Sequence, residues 1–181
     1  RNNELAAFEG AFARMRHSRN QPGPRSGERS YEYTPKDINM LSRAADAILW
    51  MARYVERAEN LARFIDVTLN LQIDMPGSSG DQWEPLINAT GDAKEFSERY
   101  GSADERNVIE FLTFDRDNSN SIVSVLRAAR ENARSIRETI SSESWEHLNS
   151  YYHFVRDAAN NEALRGSPAE FFAEVKSYSH L

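Results

Sequence analysis

The run Arg53-Tyr54-Val55-Glu56-Arg57-Ala58-Glu59-Asn60-Leu61-Ala62-Arg63 crowds five charged side chains and an amide into one short segment. Arginine presents a planar fork of donors that matches a carboxylate or a phosphate. A glutamate beside it can accept such a donor or take up a proton. Three chemistries fit these residue types. The charges of Arg53, Glu56, Arg57, Glu59, Asn60 and Arg63 could close into an internal ion-pair network, because an unpaired buried charge is prohibitive. Spare arginines could instead hold the carboxylate or phosphate of a ligand or partner. In an enzyme, Glu56 or Glu59 would be a general base, and Arg53, Arg57, Arg63 or Arg134 an anion clamp. An open cleft beside the cluster, with a carboxylate not consumed by an arginine, would separate the enzyme from the closed network.

A second charged group lies at Arg130, Glu131 and Arg134. Arg127 to Glu131, Glu131 to Arg134 and Arg134 to Glu138 are all at helical pair spacing. There is also an internal echo, since Glu59-Asn60 precedes Ala62-Arg63-Phe64-Ile65 much as Glu131-Asn132 precedes Ala133-Arg134-Ser135-Ile136. A di-iron bundle needs two Glu-x-x-His turns, and none of His17, His147, His153 or His180 has a glutamate three residues before it. No metal and no cofactor is expected. Neither a Gly-rich phosphate loop nor a nucleophile elbow occurs.

The elements that must position these side chains are helical. Leu41, Ile48, Val55, Ala62 and Leu69 sit seven apart, with Ala44, Met51, Ala58 and Ile65 three behind. This seam predicts a helix from Leu41 to about Gln72. Trp50, Leu61, Phe64 and Val67 lie on its other faces, which suits the middle of a bundle. Ile122, Ala129 and Ile136, with Leu126, Ala133 and Ile140, predict a second long helix before Ser141-Ser142 interrupts it. Asp81 with Glu84, Asp92 with Glu95 and Ser102 with Glu105 are spaced as capping boxes of short helices. Trp145, Leu148, Tyr152 and Val155 mark another helix. Ser167-Pro168-Ala169-Glu170 opens a last one. Trp50, Trp83 and Trp145 are expected in the core. No segment reads as a strand, so the fold class is an all-α bundle with two long central helices and several short packing helices.

Residues 1–39 read as an N-terminal extension. A short amphipathic helix over Asn3–His17 (Leu5, Phe8, Phe12, Met15) is followed by a linker rich in Pro, Gly, Arg and Ser. The chain of 181 residues is 40 % hydrophobic and 28 % charged, a globular composition. Its net charge of −6 gives no electrostatic reason to bind nucleic acid or anionic lipid. Without cysteine, disulfides, thiol catalysis and Cys-ligated metal are excluded. No apolar run is long enough to span a bilayer, and a cytoplasmic location is expected.

Met40-Leu41-Ser42-Arg43-Ala44-Ala45-Asp46, then Trp50-Met51-Ala52-Arg53-Tyr54-Val55-Glu56-Arg57-Ala58-Glu59-Asn60, resembles the opening of the bacterial alpha-E family. That family is named for an α-helical domain with a Glu-Arg motif, here Glu56-Arg57. Gln82-Trp83-Glu84-Pro85-Leu86, Ala129-Arg130-Glu131-Asn132-Ala133-Arg134 and Trp145-Glu146-His147-Leu148-Asn149 fit as well, so the resemblance covers residues 40–181. It implies correspondence to the N-terminal half of an alpha-E domain, since members usually start at the equivalent of Met40 and continue into a second half. A face that this half would cover is then expected to be exposed. The resemblance further implies association with an ATP-grasp ligase-like protein and a transglutaminase-like cysteine protease, in making or processing a small peptide. The leading expectation is a non-catalytic or accessory helical component that uses the Arg/Glu cluster to hold a partner or a small acidic peptide. An enzyme built on the same cluster, or a scaffold assembling as a homo-oligomer, are the alternatives.

Overall fold

Helical periodicity over Leu41–Gln72 extends in both directions in the structure, a computed structural model that describes residues 35–74, 82–161 and 167–180. Helix α1 runs over Pro35–Asp74. It starts ahead of Met40, inside the stretch read as linker, because proline's fixed φ suits a first helical turn. The helix expected at Asn3–His17 and the break at Met75–Gly80 lie outside the described residues. Short helices follow: α2 (Trp83–Thr90), α3 (Ala93–Arg99) and α4 (Glu105–Ile109), the last continuing into a π-helical turn at Glu110–Phe114. Three more complete the set, α5 (Ile122–Ser135), α6 (Ser142–Asn160) and α7 (Pro168–Tyr178). There is no strand among the described residues, and none of these helices is long and apolar enough to cross a membrane. The fold is an all-α bundle.

Its core draws on every long element. Ala58, Ala62 and Ile65 of α1, Phe111 and Leu112 of the π turn, Leu126 and Ala129 of α5, Val155 of α6 and Val175 of α7 are fully buried together. Helix α1 packs against α5 and α7. Lys176 ties α7 to α1 through Asp66, with Nζ 2.6 Å from Oδ2.

Several local expectations are corrected. The second long helix stops at Ser135, and residues 136–140 form turns. Asn132 and Ser135 there bond backbone carbonyls of their own helix, at Ala128 and Asn132, which competes with continuing the ladder. The α1 seam is covered only in part: Val55, Ala62 and Ile65 are buried, but Leu41 and Ile48 are exposed. Trp83 is in the core as expected, whereas Trp50 is 47 % exposed. Of the expected caps, Ser167 accepts from the Glu170 N–H. Asp104, not Ser102, caps α4 by accepting from the Asn107 N–H at 2.9 Å. Asp92 makes no cap bond, because its carboxylate is used elsewhere.

Asp115, directly after the π turn, is the main buried ionic group. Its carboxylate accepts from Arg99 Nη2 at 2.6 Å, from the Tyr100 hydroxyl at 3.1 Å and from the Asp117 N–H at 2.9 Å. Burial alone would raise its pKa, but these donors outweigh it and hold the carboxyl below the usual range. Burial, with Asp115 second, pushes Tyr100 up to about 12. A folded-state pKa below the unfolded value means that the stabilisation is present at neutral pH and fades as pH falls below about 4. Asp115→Asn is therefore expected to cost about 2–4 kcal/mol at pH 7 by urea unfolding. The gap from wild type should shrink as pH falls from 5 to 3; a gap independent of pH would refute the ionic account.

Candidate functional site

Along α1, residues three and four apart share a face, so Arg53, Glu56, Arg57 and Asn60 project from one side of the helix. The structure gives this side a wall. The Ala89–Thr90 end of α2 and the side chain of Asn120 stand across from it, and an open groove of about 660 Å³ lies between. Trp50 and Phe64 form its apolar ends, both roughly half exposed.

The polar side chains in the groove differ in what holds them. Arg57 Nη1 donates to Asn120 Oδ1 at 3.2 Å. Asn120 is itself fixed, since its Nδ2 donates to Asp92 at 3.0 Å and its backbone N–H donates to Asn118 Oδ1 at 2.8 Å. Asn118 in turn is buried and donates to the carbonyl of Phe111 in the π turn at 3.0 Å. Arg57 is thus oriented from the core outward by a relay of amides. Arg53 and Glu56 are exposed and have no hydrogen bond or ion pair within the described residues. They are one turn apart, but arginine before glutamate is the weaker order for a helical pair.

Glu59 and Arg63 leave this group. They pair with each other, Arg63 Nε donating to Glu59 Oε1 at 2.9 Å. That bond draws the Glu59 carboxyl below its usual range against the effect of burial, with Ser179 adding to it. Nearby Tyr151 is fully buried, and its hydroxyl has no partner among the described residues. Burial first, and Glu59 second, pushes the Tyr151 pKa up.

The second sequence cluster is apart from the groove, on the side of α5 that faces α6. Arg130 Nε donates to Asn149 Oδ1 at 2.7 Å, and its guanidinium lies over Trp145 and Tyr152, 5.5 and 5.6 Å from their centroids. Glu131 takes both Arg134 Nε at 3.0 Å and Arg130 Nη1 at 3.4 Å. Burial, then Arg156 and Arg130, lowers the pKa of neighbouring His153. This group is a paired structural network that locks α5 to α6. Among the described residues, no three His, Asp or Glu side chains converge as a metal-ligand set requires.

Sequence reasoning did not single out Thr90 or Asn120 as groove residues, or Asp92 as the anchor of Asn120. Asp92 had the signal of a helix cap and no more. Asn120 sits in an Asp/Asn/Ser run whose composition reads only as a turn.

Neither a curated protein nor a solved structure matches the chain. A family model does: Alpha-E, described as a predicted alpha-helical domain with a conserved ER motif, matches residues 40–181. That span holds every described helix beyond the first residues of α1, and Glu56-Arg57, the Glu-Arg pair expected from the sequence to be the motif, lies on the groove. On this match the chain belongs to the Alpha-E family.

Proposed function

We propose that this chain is a non-catalytic cytoplasmic accessory protein whose α1 groove docks a protein segment carrying carboxylates. One observation carries the reading: Arg53 and Glu56 face an open groove without partners among the described residues, beside an Arg57 already oriented by Asn120. Two arginine forks set a local positive field in a chain of net charge −6, which suits an acidic peptide. Trp50 and Phe64 offer apolar anchors at its two ends, the usual composition of a docking site. The family resemblance supplies the setting, in which the docked segment belongs to an ATP-grasp ligase-like protein, a transglutaminase-like protease, or the small peptide they handle.

The unpaired Glu56 also favours a second reading, an enzyme with Glu56 as general base and Arg53 and Arg57 as anion clamp. Binding is the better account. The remaining polar groove side chains are Asn60, Thr90 and Asn120, none of which is a nucleophile partnered by a base. The groove is also open to water, which weakens the electrostatic stabilisation that catalysis draws on.

Two measurements test this. Charges kept for binding add little to the fold, so Glu56→Gln and Arg53→Gln should each melt within about 2 °C of wild type. A loss beyond about 5 °C would return both residues to an internal network. A random-peptide display library selected on the wild-type chain should enrich acidic sequences with an aromatic or aliphatic anchor. Binding of the selected peptides should fall at least about ten-fold with Arg53→Glu or Arg57→Glu. No enrichment, or binding indifferent to both substitutions, would refute the docking site. Conversion of a selected peptide by the wild type, lost in Glu56→Gln, would move the assignment to the enzyme.

A further inference from the structure

The groove's charged floor continues onto the outward side of α1. Leu49, Arg53, Glu56, Asn60, Phe64 and Val67 follow one another at steps of three and four, forming one stripe about 27 Å long. It points away from Ala58, Ala62 and Ile65, which face the core. Leu49, Phe64 and Val67 are 55 %, 53 % and 55 % exposed. Every exposed large apolar side chain among the described residues belongs to α1. The uncovered apolar surface is therefore concentrated on one helix, as at an interaction site.

Resting on the reading of this face as a protein-docking surface, we infer that it also takes a second copy of this chain, laid antiparallel along α1 with the two-fold axis between Arg53 and Glu56. The charge order selects this partner. Arg53 and Glu56 are opposite in sign, adjacent along the stripe and without partners among the described residues. Antiparallel pairing about their midpoint sets each Arg53 against the other copy's Glu56, so both charges are satisfied twice by one symmetric contact. Parallel pairing would set Arg53 on Arg53 and Glu56 on Glu56, which repel. In the antiparallel register Leu49 falls against the partner's Asn60–Phe64 turn. Arg57 stays with Asn120 and takes no part. One short helix pair is a small interface, so the dissociation constant is expected at roughly 1–100 µM. An acidic peptide on Arg53 would then compete with the second copy, making self-pairing a device that holds the groove closed until its ligand arrives.

Sedimentation equilibrium on the full 181-residue chain tests the pairing. Wild type is expected to show a monomer–dimer equilibrium between roughly 5 and 300 µM. Arg53→Glu alone and Glu56→Arg alone should each weaken the dimer at least about ten-fold, since like charges then meet twice across the axis. The double variant should restore wild-type association, and an equimolar mixture of the two single variants should form a heterodimer. The chain has no cysteine, so orientation is read cleanly: Leu49→Cys and Asn60→Cys chains should form a disulfide when mixed and not when separate. This second readout uses exposed positions and stands even if a charge reversal fails to fold. A wild type that stays monomeric throughout, or single variants that associate as well as wild type, would overturn the proposal. If such a monomer still selects acidic peptides, self-pairing alone is wrong; if it selects none, the docking reading falls with it.

Discussion

The Asp115 carboxylate is the interaction on which the groove depends. A buried carboxylate is tolerable only when donors surround it, and here the donors come from different places in the chain. Arg99 and Tyr100 end α3, and the Asp117 N–H begins the loop before α5. Pulling them onto one anion fixes that loop against the π turn. Asn118 is then buried where it reaches the Phe111 carbonyl, and Asn120 is placed where it meets both Asp92 and Arg57. The π turn belongs to the same device, since its final bond, from the Asp115 N–H to the Glu110 carbonyl, sets the direction in which Asp115 leaves the helix.

Against that fixed wall, α1 has two unlike sides. Its inner stripe is built of small and branched apolar residues and is sealed in the core. Its outer stripe sets Arg53 and Glu56 between apolar residues and is largely exposed. A purely solvated helix face would not gather Leu49, Trp50, Phe64 and Val67, because each costs free energy in water. A purely internal face would not hold Arg53 and Glu56 without partners. The combination is what the proposed docking surface requires.

The sequence displays the helices clearly because each long one repeats its apolar residues at helical spacing, and the Ser167 cap and the α1 seam are plain in the letters. Periodicity cannot say which apolar face is covered, however. Ile48 carries the same pattern as Val55, yet only Val55 is buried. Charge ladders are ambiguous in the same way. Glu131–Arg134 and Arg53–Glu56 are both opposite charges three residues apart, but the first pairs in the favourable order and the second does not. Asp92 shows a further limit, because a cap signature and a long-range anchor use the same carboxylate. What decides between them is Asn120, 28 residues away.

The adjacency of Glu56 and Arg57 on α1 has a geometric consequence. Neighbouring residues on a helix point about a quarter-turn apart and do not face each other. Long side chains can still bridge that angle, as Arg130–Glu131 and Arg156–Asp157 do, but Glu56 and Arg57 make no ion pair with each other. Arg57 finds a partner in Asn120, a neutral amide that accepts a single bond and leaves most of the guanidinium's donors available. Glu56 finds none. A motif kept for stability would close both contacts within the chain. Here Arg57 meets an uncharged residue and Glu56 has no partner among the described residues, which is what the proposed docking role requires.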